Sequence, residues 1–306
     1  MEIIKLTPAT KDYIWGGTRL KSEYGINADT ERVAEAWVLS CHKDGESVCT
    51  GGKYDGMTLM QVIEKEGKEI LGKKGGSFDF FPILVKFIDA KNNLSVQVHP
   101  SDEYALKNEG QYGKTEMWYV LDAEEGAYLY YGFNKEITKE ELKKSLEDGT
   151  VEEVLGKKNV KKGDCFFIKS GTVHAIGKGL MIAEIQQNSN LTYRLYDYGR
   201  LGADGKPREL HIEKALKVTD LSPAEKTENR ADGVLAECKY FTAQHLVVNG
   251  ENEIEVDGDS FVNAIFINGE GTIDGAAAKR GNSFFIPAGY GKVKFTGHAE
   301  VILSKV

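Results

Sequence analysis

The sequence predicts a mainly β protein that contains two related barrels and short helical insertions. Strand-like runs rich in β-branched and aromatic residues recur along the chain, and repeated hairpin signals occur from about residue 230 onward. One pattern also occurs twice, as KGDCFFIKSG at 162–171 and RGNSFFIPAG at 280–289. Repeated β units of this kind indicate two copies of one architecture.

The repeat predicts a division into a larger domain over 1–230 and a smaller one over 231–306. Helical insertions are expected in the larger domain at about 58–71 and 138–156. Three Thr-x-x-Gln/Glu capping boxes, which begin at Thr58, Thr138 and Thr150, mark their helix starts.

Composition describes an ordinary soluble globular protein: of 306 residues, 41% are hydrophobic and 28% are charged. The formal charge of −8 argues against a nucleic-acid partner, and an anionic substrate would need a local cluster of lysines and arginines. The four cysteines have no CxxC spacing, which indicates reduced thiols in a cytoplasmic protein. No signal peptide and no apolar run near the ~20 residues of a membrane span are visible, so no membrane partner is expected.

The stretch 94–120 holds a candidate metal site. Strand alternation places Gln97 and His99 on one face, Pro100 ends the pairing, and Glu116 opens the next strand-like run. His174 comes after a Gly-bounded turn. Taken alone, each residue fits a half-solvated strand or loop, but grouped on neighbouring runs they form an N/O ligand set for a divalent transition metal.

The second copy of the repeat is expected to lack this site. The run that starts at Glu116 has a faint counterpart that starts at Asn263, and Lys292 takes the place of His174. We therefore expect one metal ion per chain, bound in the first barrel.

Lys86 stands out in the apolar run 80–90, which is typical of a strand buried on both faces. A buried lysine is costly unless it is paired. Two interpretations stay open: the side chain snorkels to a barrel end, or it takes part in the site.

Taken with these residues, several longer motifs show a family resemblance. The chain resembles the type I mannose-6-phosphate isomerases of the short bacterial kind, which belong to the cupin superfamily, and the resemblance covers most of residues 13–220. It is carried by YIWGG, EAWVLSCH, LSVQVHPSDEYA, GKTEMWYVL, GTVHAI and EIQQNSNLTYRLYDYGR, and by a cupin-like Gly163-x5-Lys169-x-Gly171-x2-His174. It implies two cupin-type (jelly-roll) β-barrels.

The resemblance also implies site residues, position by position. The family's zinc ligands match Gln97, His99, Glu116 and His174, and its basic site residues match Lys86, Lys114 and Arg194. Where members often carry Asp, this chain has Asn190, whose neutral amide cannot act as a general base. Glu184 and Asp197 are the nearby carboxylates; strand parity favours Glu184 without deciding between them.

The activity implied is interconversion of mannose 6-phosphate and fructose 6-phosphate through a cis-enediolate, with zinc as the expected ion. Lys114 would assist ring opening or bind phosphate, and Arg194 would supply positive charge and donors. The alternative is a non-catalytic sugar-binding or regulatory cupin that retains the metal. A metal-dependent oxygenase is less favoured because such sites use a His-rich triad. The sequence leaves open the oligomeric state and the choice among related aldose phosphates.

Overall fold

A computed structural model describes residues 1–202, 205–225 and 232–306. The fold is mainly β, as the sequence predicts. The strands are β1 Ile4–Thr7, β2 Ala9–Lys11, β3 Glu35–Leu39, β4 Cys41–His42, β5 Gly45–Glu46, β6 Val48–Cys49, β7 Ile83–Ala90, β8 Val96–Val98, β9 Glu116–Ala123, β10 Tyr128–Phe133, β11 Leu155–Asn159, β12 Cys165–Ile168, β13 His174–Ile176, β14 Leu180–Gln187, β15 Tyr193–Tyr196, β16 Val234–Glu237, β17 Thr242–Val256, β18 Val262–Ile273, β19 Ala276–Lys279, β20 Ser283–Ile286 and β21 Gly291–Lys305.

The helices are few and short. The α-helices are α1 Arg19–Ser22, α2 Leu59–Glu66, α3 Gly72–Gly75, α4 Asp102–Glu109, α5 Lys139–Glu147 and α6 Ile212–Val218. Single 3₁₀ turns occupy Gly52–Tyr54, Lys68–Leu71 and Val151–Glu153. No helix of the described residues is both long and apolar enough to cross a membrane.

The chain forms two compact units, and neither is one continuous segment. The first contains Met1–Lys11, Thr18–Phe87 and Asn229–Val306; the second contains Asp12–Gly17 and Ile88–Glu228. The predicted boundary between 230 and 231 lies outside the described residues. The units also differ from the predicted linear division, because β1 pairs with β20 and so brings the start of the chain to the C-terminal barrel. Local sequence carries no signal for such a long-range pairing.

The first unit is built on one large sheet with the strand order β16-β17-β21-β18-β20-β1-β6, and β19 pairs with β18. Alternate residues of its strands point to one side and form a continuous apolar core, because strand side chains have a period of two. That core consists of Val248, Val256, Val262, Ala264, Phe266, Ile273, Ala278, Phe284, Ile286, Val293, Phe295, Ala299, Val301 and Leu303.

The second unit contains a five-stranded sheet with the order β11-β10-β13-β8-β15, and the antiparallel strands β12-β9-β14. One side of the five-stranded sheet packs an apolar cluster together with the helices α5 and α6. Its buried members are Val96, Val98, Tyr130, Phe133, Ile137, Leu142, Val151, Leu155, Val173, Ala175, Tyr193, Leu195 and Ala215.

The two copies of the sequence repeat, 162–171 and 280–289, have the same local structure. Its two copies contain β12 and β20, and each strand comes after a glycine with positive φ: +88° at Gly163 and +90° at Gly281. Residues with a side chain rarely adopt this backbone conformation, which is why glycine occurs at the same step of both copies.

Strand pairing corrects one detail of the repeat. In the second unit Ile168 of β12 pairs with Glu116, whereas in the first unit its equivalent Ile286 pairs with Val262. The counterpart of Glu116 is therefore Val262, and the predicted Asn263 is wrong by one residue. A slip of one position in a strand moves the side chain to the opposite face. A valine is no metal ligand, so the expectation of a ligand-free second copy is unaffected.

Two of the three predicted capping boxes are present. Thr58 caps α2 with Gln61, and Thr138 caps α5 with Glu141. The box predicted at Thr150 is wrong: within the described chain its side chain makes no cap bond, and it precedes only a 3₁₀ turn. The chain enters β11 at Leu155, which leaves too few residues for an α-helix.

A pair of glycine substitutions tests the close contact between Gly281 and the Tyr24 carbonyl. Gly281→Ala adds a Cβ that would clash with the Tyr24 carbonyl oxygen, in addition to the positive φ. Gly250→Ala is the matched control, with φ +89° and no described heavy atom within 4 Å of the new Cβ. Backbone strain costs about 1–3 kcal/mol at either position. We expect Gly281→Ala to lower the free energy of unfolding in urea further than Gly250→Ala; equal losses would contradict the clash.

Candidate metal centre

Three antiparallel strands of the second unit align predicted site residues in a row. On β8, Gln97 is the Cα partner of His174 on β13 and of Arg194 on β15. Directly paired residues of antiparallel strands project from the same face. The structure therefore places Gln97, His174 and Arg194 side by side, although they are far apart in the sequence.

The strands β9 and β14 supply the acidic residues. Glu116 begins β9 and pairs with Gln186 of β14, and Glu184 pairs with Trp118 two residues farther along. Both carboxylates therefore project from the same face of this strand pair. Both are buried.

His99, Glu116 and His174 converge on one point. Their ligand atoms all lie within 4.8 Å of one another, and in residues 1–202, 205–225 and 232–306 no other group of three or more His, Cys, Asp and Glu side chains is so arranged. The His174 Nε2 is 3.3 Å from Glu116 Oε1, and the His99 Nε2 is 3.7 Å from Glu116 Oε2. The Gln97 amide nitrogen lies 3.4 Å from His174 Nε2, so the fourth predicted ligand adjoins the same point.

Backbone carbonyls orient both imidazoles. His99 Nδ1 donates to the Leu191 carbonyl at 2.8 Å, and His174 Nδ1 donates to the Thr172 carbonyl at 2.9 Å. With the proton on Nδ1, each ring presents the lone pair of Nε2 toward Glu116. Burial also lowers the pKa of His174 to about 4, so this ring is neutral near pH 7.

This donor set fits a divalent transition metal. Two neutral imidazoles with oriented Nε2 atoms, one carboxylate and one amide provide N/O ligands of the kind that such ions prefer. The two carbonyls supply the outer hydrogen bonds that metal-binding histidines regularly make.

Lys114 lies inside the same cluster. Its buried ammonium is 2.5 Å from Glu116 Oε2, 3.5 Å from Glu184 Oε1 and 3.3 Å from His99 Nε2. Buried carboxylates need nearby positive charge, and Lys114 supplies it to two of them.

Glu184 is held by a residue that sequence reasoning missed. The Trp118 indole Nε1 donates to Glu184 Oε2 at 2.8 Å, and its ring packs edge-on to His174 with centroids 5.2 Å apart. Trp118 lies two positions after Glu116 on a strand, and this spacing places it on the same face. That parity is the signal that could have identified it.

Asp197, the second carboxylate that the sequence offers as a general base, is bound by arginines. Asp197 accepts hydrogen bonds from Arg208, at 2.7 and 2.5 Å, and from Arg200. Burial opposes its ionisation, yet the hydrogen bonds from Arg208 and Arg200 hold the pKa of Asp197 below its ordinary value. A carboxylate bound by two guanidinium groups is a weak base.

Arg194 lies at the edge of this arginine cluster. Its Nη1 donates to the Glu209 carbonyl at 2.8 Å. Partial burial, together with a smaller repulsion from Arg208, lowers the pKa of Arg194, although the guanidinium stays charged near neutral pH. Arg194 thus lies near two further guanidinium groups, those of Arg200 and Arg208, which both bind Asp197.

Lys86 belongs to the first unit and is an interior residue. Its side chain is 3% exposed, its ammonium is 3.4 Å from Glu35 Oε2, and it lies 5.0 Å from the Trp37 ring centroid. The snorkelling interpretation is therefore wrong. A role of Lys86 in the site stays a prediction.

The fold and this cluster define a class of protein: a cupin with a candidate transition-metal centre. Residues 3–129 match the family model for the catalytic domain of type I phosphomannose isomerase, and residues 232–306 match the model for the cupin domain of mannose-6-phosphate isomerase. The chain belongs to the type I phosphomannose isomerase family.

Individual relatives agree over nearly the whole chain. It is 41% identical to mannose-6-phosphate isomerase ManA of Bacillus subtilis, over 97% of this chain and 96% of that one. It is 38% identical to mannose-6-phosphate isomerase of Streptococcus mutans, over 95% and 94% of the two chains. The crystal structure of mannose 6-phosphate isomerase from Bacillus subtilis superposes with a TM-score of 0.91 at 36% identity and covers 100% of both chains.

A metal analysis tests the centre. We expect one divalent metal ion per chain, and we expect His99→Ala to lose it with the fold intact, because one of two imidazole ligands is removed. His245→Ala is the control, since His245 pairs with Glu300 in the first unit. The measurement is metal content by mass spectrometry after gel filtration. Two ions per chain, or full retention by His99→Ala, would contradict the site.

Proposed function

We propose that this protein interconverts mannose 6-phosphate and fructose 6-phosphate, the activity named for its relatives. The observation that carries the proposal is the buried cluster that Glu184, Lys114 and the three ligand residues form. It combines a carboxylate for proton transfer with a candidate metal site, and the Lys114 ammonium lies within 3.5 Å of Glu184, Glu116 and His99.

The reaction moves a proton between C1 and C2 through a cis-enediolate, so it needs a base and stabilisation of a developing oxyanion. A divalent ion held by Gln97, His99, Glu116 and His174 would polarise the substrate carbonyl and stabilise that negative charge. We propose zinc, because neutral nitrogen and amide ligands with one carboxylate suit it and leave a net positive charge.

Glu184 is the proposed general base. The Trp118 indole holds Oε2, and Oε1 lies beside Lys114 in the cluster. Asn190 cannot accept a proton from carbon, and Asp197 is bound by Arg200 and Arg208. Of the two carboxylates that the sequence left open, the contacts of Glu184 within the cluster support Glu184 as the base.

The cationic residues are proposed to bind and orient the substrate. Lys114 can assist ring opening or bind phosphate, and its place between two carboxylates suits proton exchange with a sugar oxygen. Arg194 can donate to an oxyanion, and with Arg200 and Arg208 it provides the local positive charge that an anionic substrate requires. Lys86 is proposed as a further substrate-binding residue on the family resemblance.

The state of the cysteines supports a cytoplasmic enzyme. The structure forms no disulfide bond among Cys41, Cys49, Cys165 and Cys238. Burial raises the pKa of Cys49 to about 11 and that of Cys165 to about 12, so both resist oxidation near neutral pH.

Substitution of Glu184 separates the isomerase from a sugar-binding cupin. Glu184→Gln keeps the shape and an acceptor for Trp118 but removes the base, and we expect kcat to fall by about 10²–10⁴-fold while the metal stays bound. Solvent-deuterium exchange into the substrate reports the proton transfer directly. Glu300→Gln, which changes a carboxylate of the first unit, is the control and should retain exchange.

The deuterium-exchange assay also tests the alternative function, a non-catalytic sugar-binding or regulatory cupin. If the metal-loaded wild-type protein binds mannose 6-phosphate but shows neither exchange nor conversion, the protein is a sugar-binding or regulatory cupin.

Arg194 is tested by two variants. If it stabilises the enediolate, Arg194→Ala should lower kcat by roughly 10²–10³-fold, the effect of removing one oxyanion donor. Arg194→Lys should recover part of that loss, because it keeps the charge without the planar fork. Steady-state kinetics give the answer: a raised KM with unchanged kcat would instead assign Arg194 to uniform substrate binding.

A further inference from the structure

The turn over 187–191 begins at Gln187, the last residue of β14, and contacts the candidate metal ligand His99. Its last residue, Leu191, provides the carbonyl that accepts from His99 Nδ1 at 2.8 Å. The orientation of that imidazole therefore depends on where this turn places one backbone oxygen. Residues 188–191 have no regular secondary structure, and side-chain hydrogen bonds add to the one backbone bond from Ser189 N–H to the Gln187 carbonyl.

The Gln186 side chain binds two backbone carbonyls of the turn. Its side-chain nitrogen donates to the carbonyls of Gln187 at 2.7 Å and Ser189 at 2.6 Å. The side chain is fully buried, and its Cα is the strand partner of Glu116. One amide group thus connects the strand that faces the metal ligand Glu116 with the turn that orients the ligand His99.

Ser189 is hydrogen-bonded to Leu191 and so links it to the part of the turn that Gln186 binds. Its hydroxyl donates to the Tyr112 carbonyl at 2.8 Å and accepts from the Leu191 backbone N–H at 3.2 Å. An unbroken series of hydrogen bonds therefore runs from Gln186 through Ser189 and Leu191 to His99.

We propose that Gln186 is a positioning residue of the metal site: its amide clamps the 187–191 turn so that the Leu191 carbonyl holds His99 with Nε2 directed at the metal. This inference rests on the proposed metal site. It assigns Gln186 no contact with the substrate.

The residue type supports the assignment. Both hydrogens of one planar NH₂ group are used, which a carboxylate or an apolar side chain cannot reproduce. The Gln186 Oε1 is buried and makes no hydrogen bond within the described part of the chain. A buried acceptor without a donor lowers stability, so an apolar residue would suit the fold better. The glutamine is explained by its two donor bonds to the turn.

The test is Gln186→Met, which keeps the length of the side chain and removes both donors. We expect the zinc Kd, measured by competition with a chromophoric chelator, to rise by about 10–100-fold, the usual effect of losing an outer partner of a metal-binding histidine. We also expect the visible absorption bands of the Co²⁺-substituted protein to shift, because the His99 ring is no longer held in one orientation.

Asn263→Leu is the matched control. Asn263 is a fully buried amide in the other unit; its nitrogen donates to Ser283 Oγ and to the Phe284 carbonyl, both at 3.0 Å. Like Gln186, it has a buried amide oxygen with no hydrogen bond to any described residue. Its loss should cost comparable stability while leaving the zinc Kd and the Co²⁺ spectrum unchanged.

The outcomes are separable. A wild-type zinc Kd and Co²⁺ spectrum in Gln186→Met would overturn the inference, and so would equal changes in both variants. A wild-type protein that binds no metal would instead refute the proposed metal site itself. If Gln186→Met does not fold, Ser189→Ala cuts the same series of bonds one step later; a raised zinc Kd supports the proposal and an unchanged one overturns it.

Discussion

The site depends on placing two carboxylates, Glu116 and Glu184, in the interior of a β-barrel. A buried carboxylate is strongly disfavoured unless cations or donors face it, and Lys114 and Trp118 meet that requirement. Lys114 lies between the two groups and Trp118 donates to Glu184, whereas the imidazole lone pairs directed toward Glu116 do not compensate its charge. The same unbalanced negative charge that must be compensated for folding would give a divalent cation its affinity for the proposed metal site.

Parts of this arrangement could be predicted from sequence because they obey local rules. Alternation along 94–99 places Gln97 and His99 on one face, and the paired glycines Gly163 and Gly281 mark the same turn in two barrels. Capping at Thr58 and Thr138 is equally local, since the box closes within four residues. The box at Thr150 does not form because the chain enters β11 soon after it, and strand pairing determines where that strand begins.

The other features of the site and the fold could not be predicted from sequence, because they depend on contacts between distant segments. Sequence parity alone could not choose between Glu184 and Asp197, whereas the structure shows one beside Lys114 and the other bound by Arg200 and Arg208. The 187–191 turn that orients His99 has no propensity signal, because side chains such as Gln186 and Ser189 hold it through bonds to backbone atoms. The discontinuous first unit likewise results from β1 pairing with β20.

The two barrels differ in the polarity of one matched interior position. At matched pairing positions one has Glu116 and the other has Val262, which lies in an apolar cluster. Burial of this cluster stabilises the first unit in proportion to its apolar area, and the cluster itself contains no charge that needs a partner. The second unit gives up part of that stabilisation to hold Glu116, Glu184, Lys114 and two histidines in fixed positions. The hydrogen bonds of the 187–191 turn serve this placement, since they hold the His99 ring among these buried polar groups.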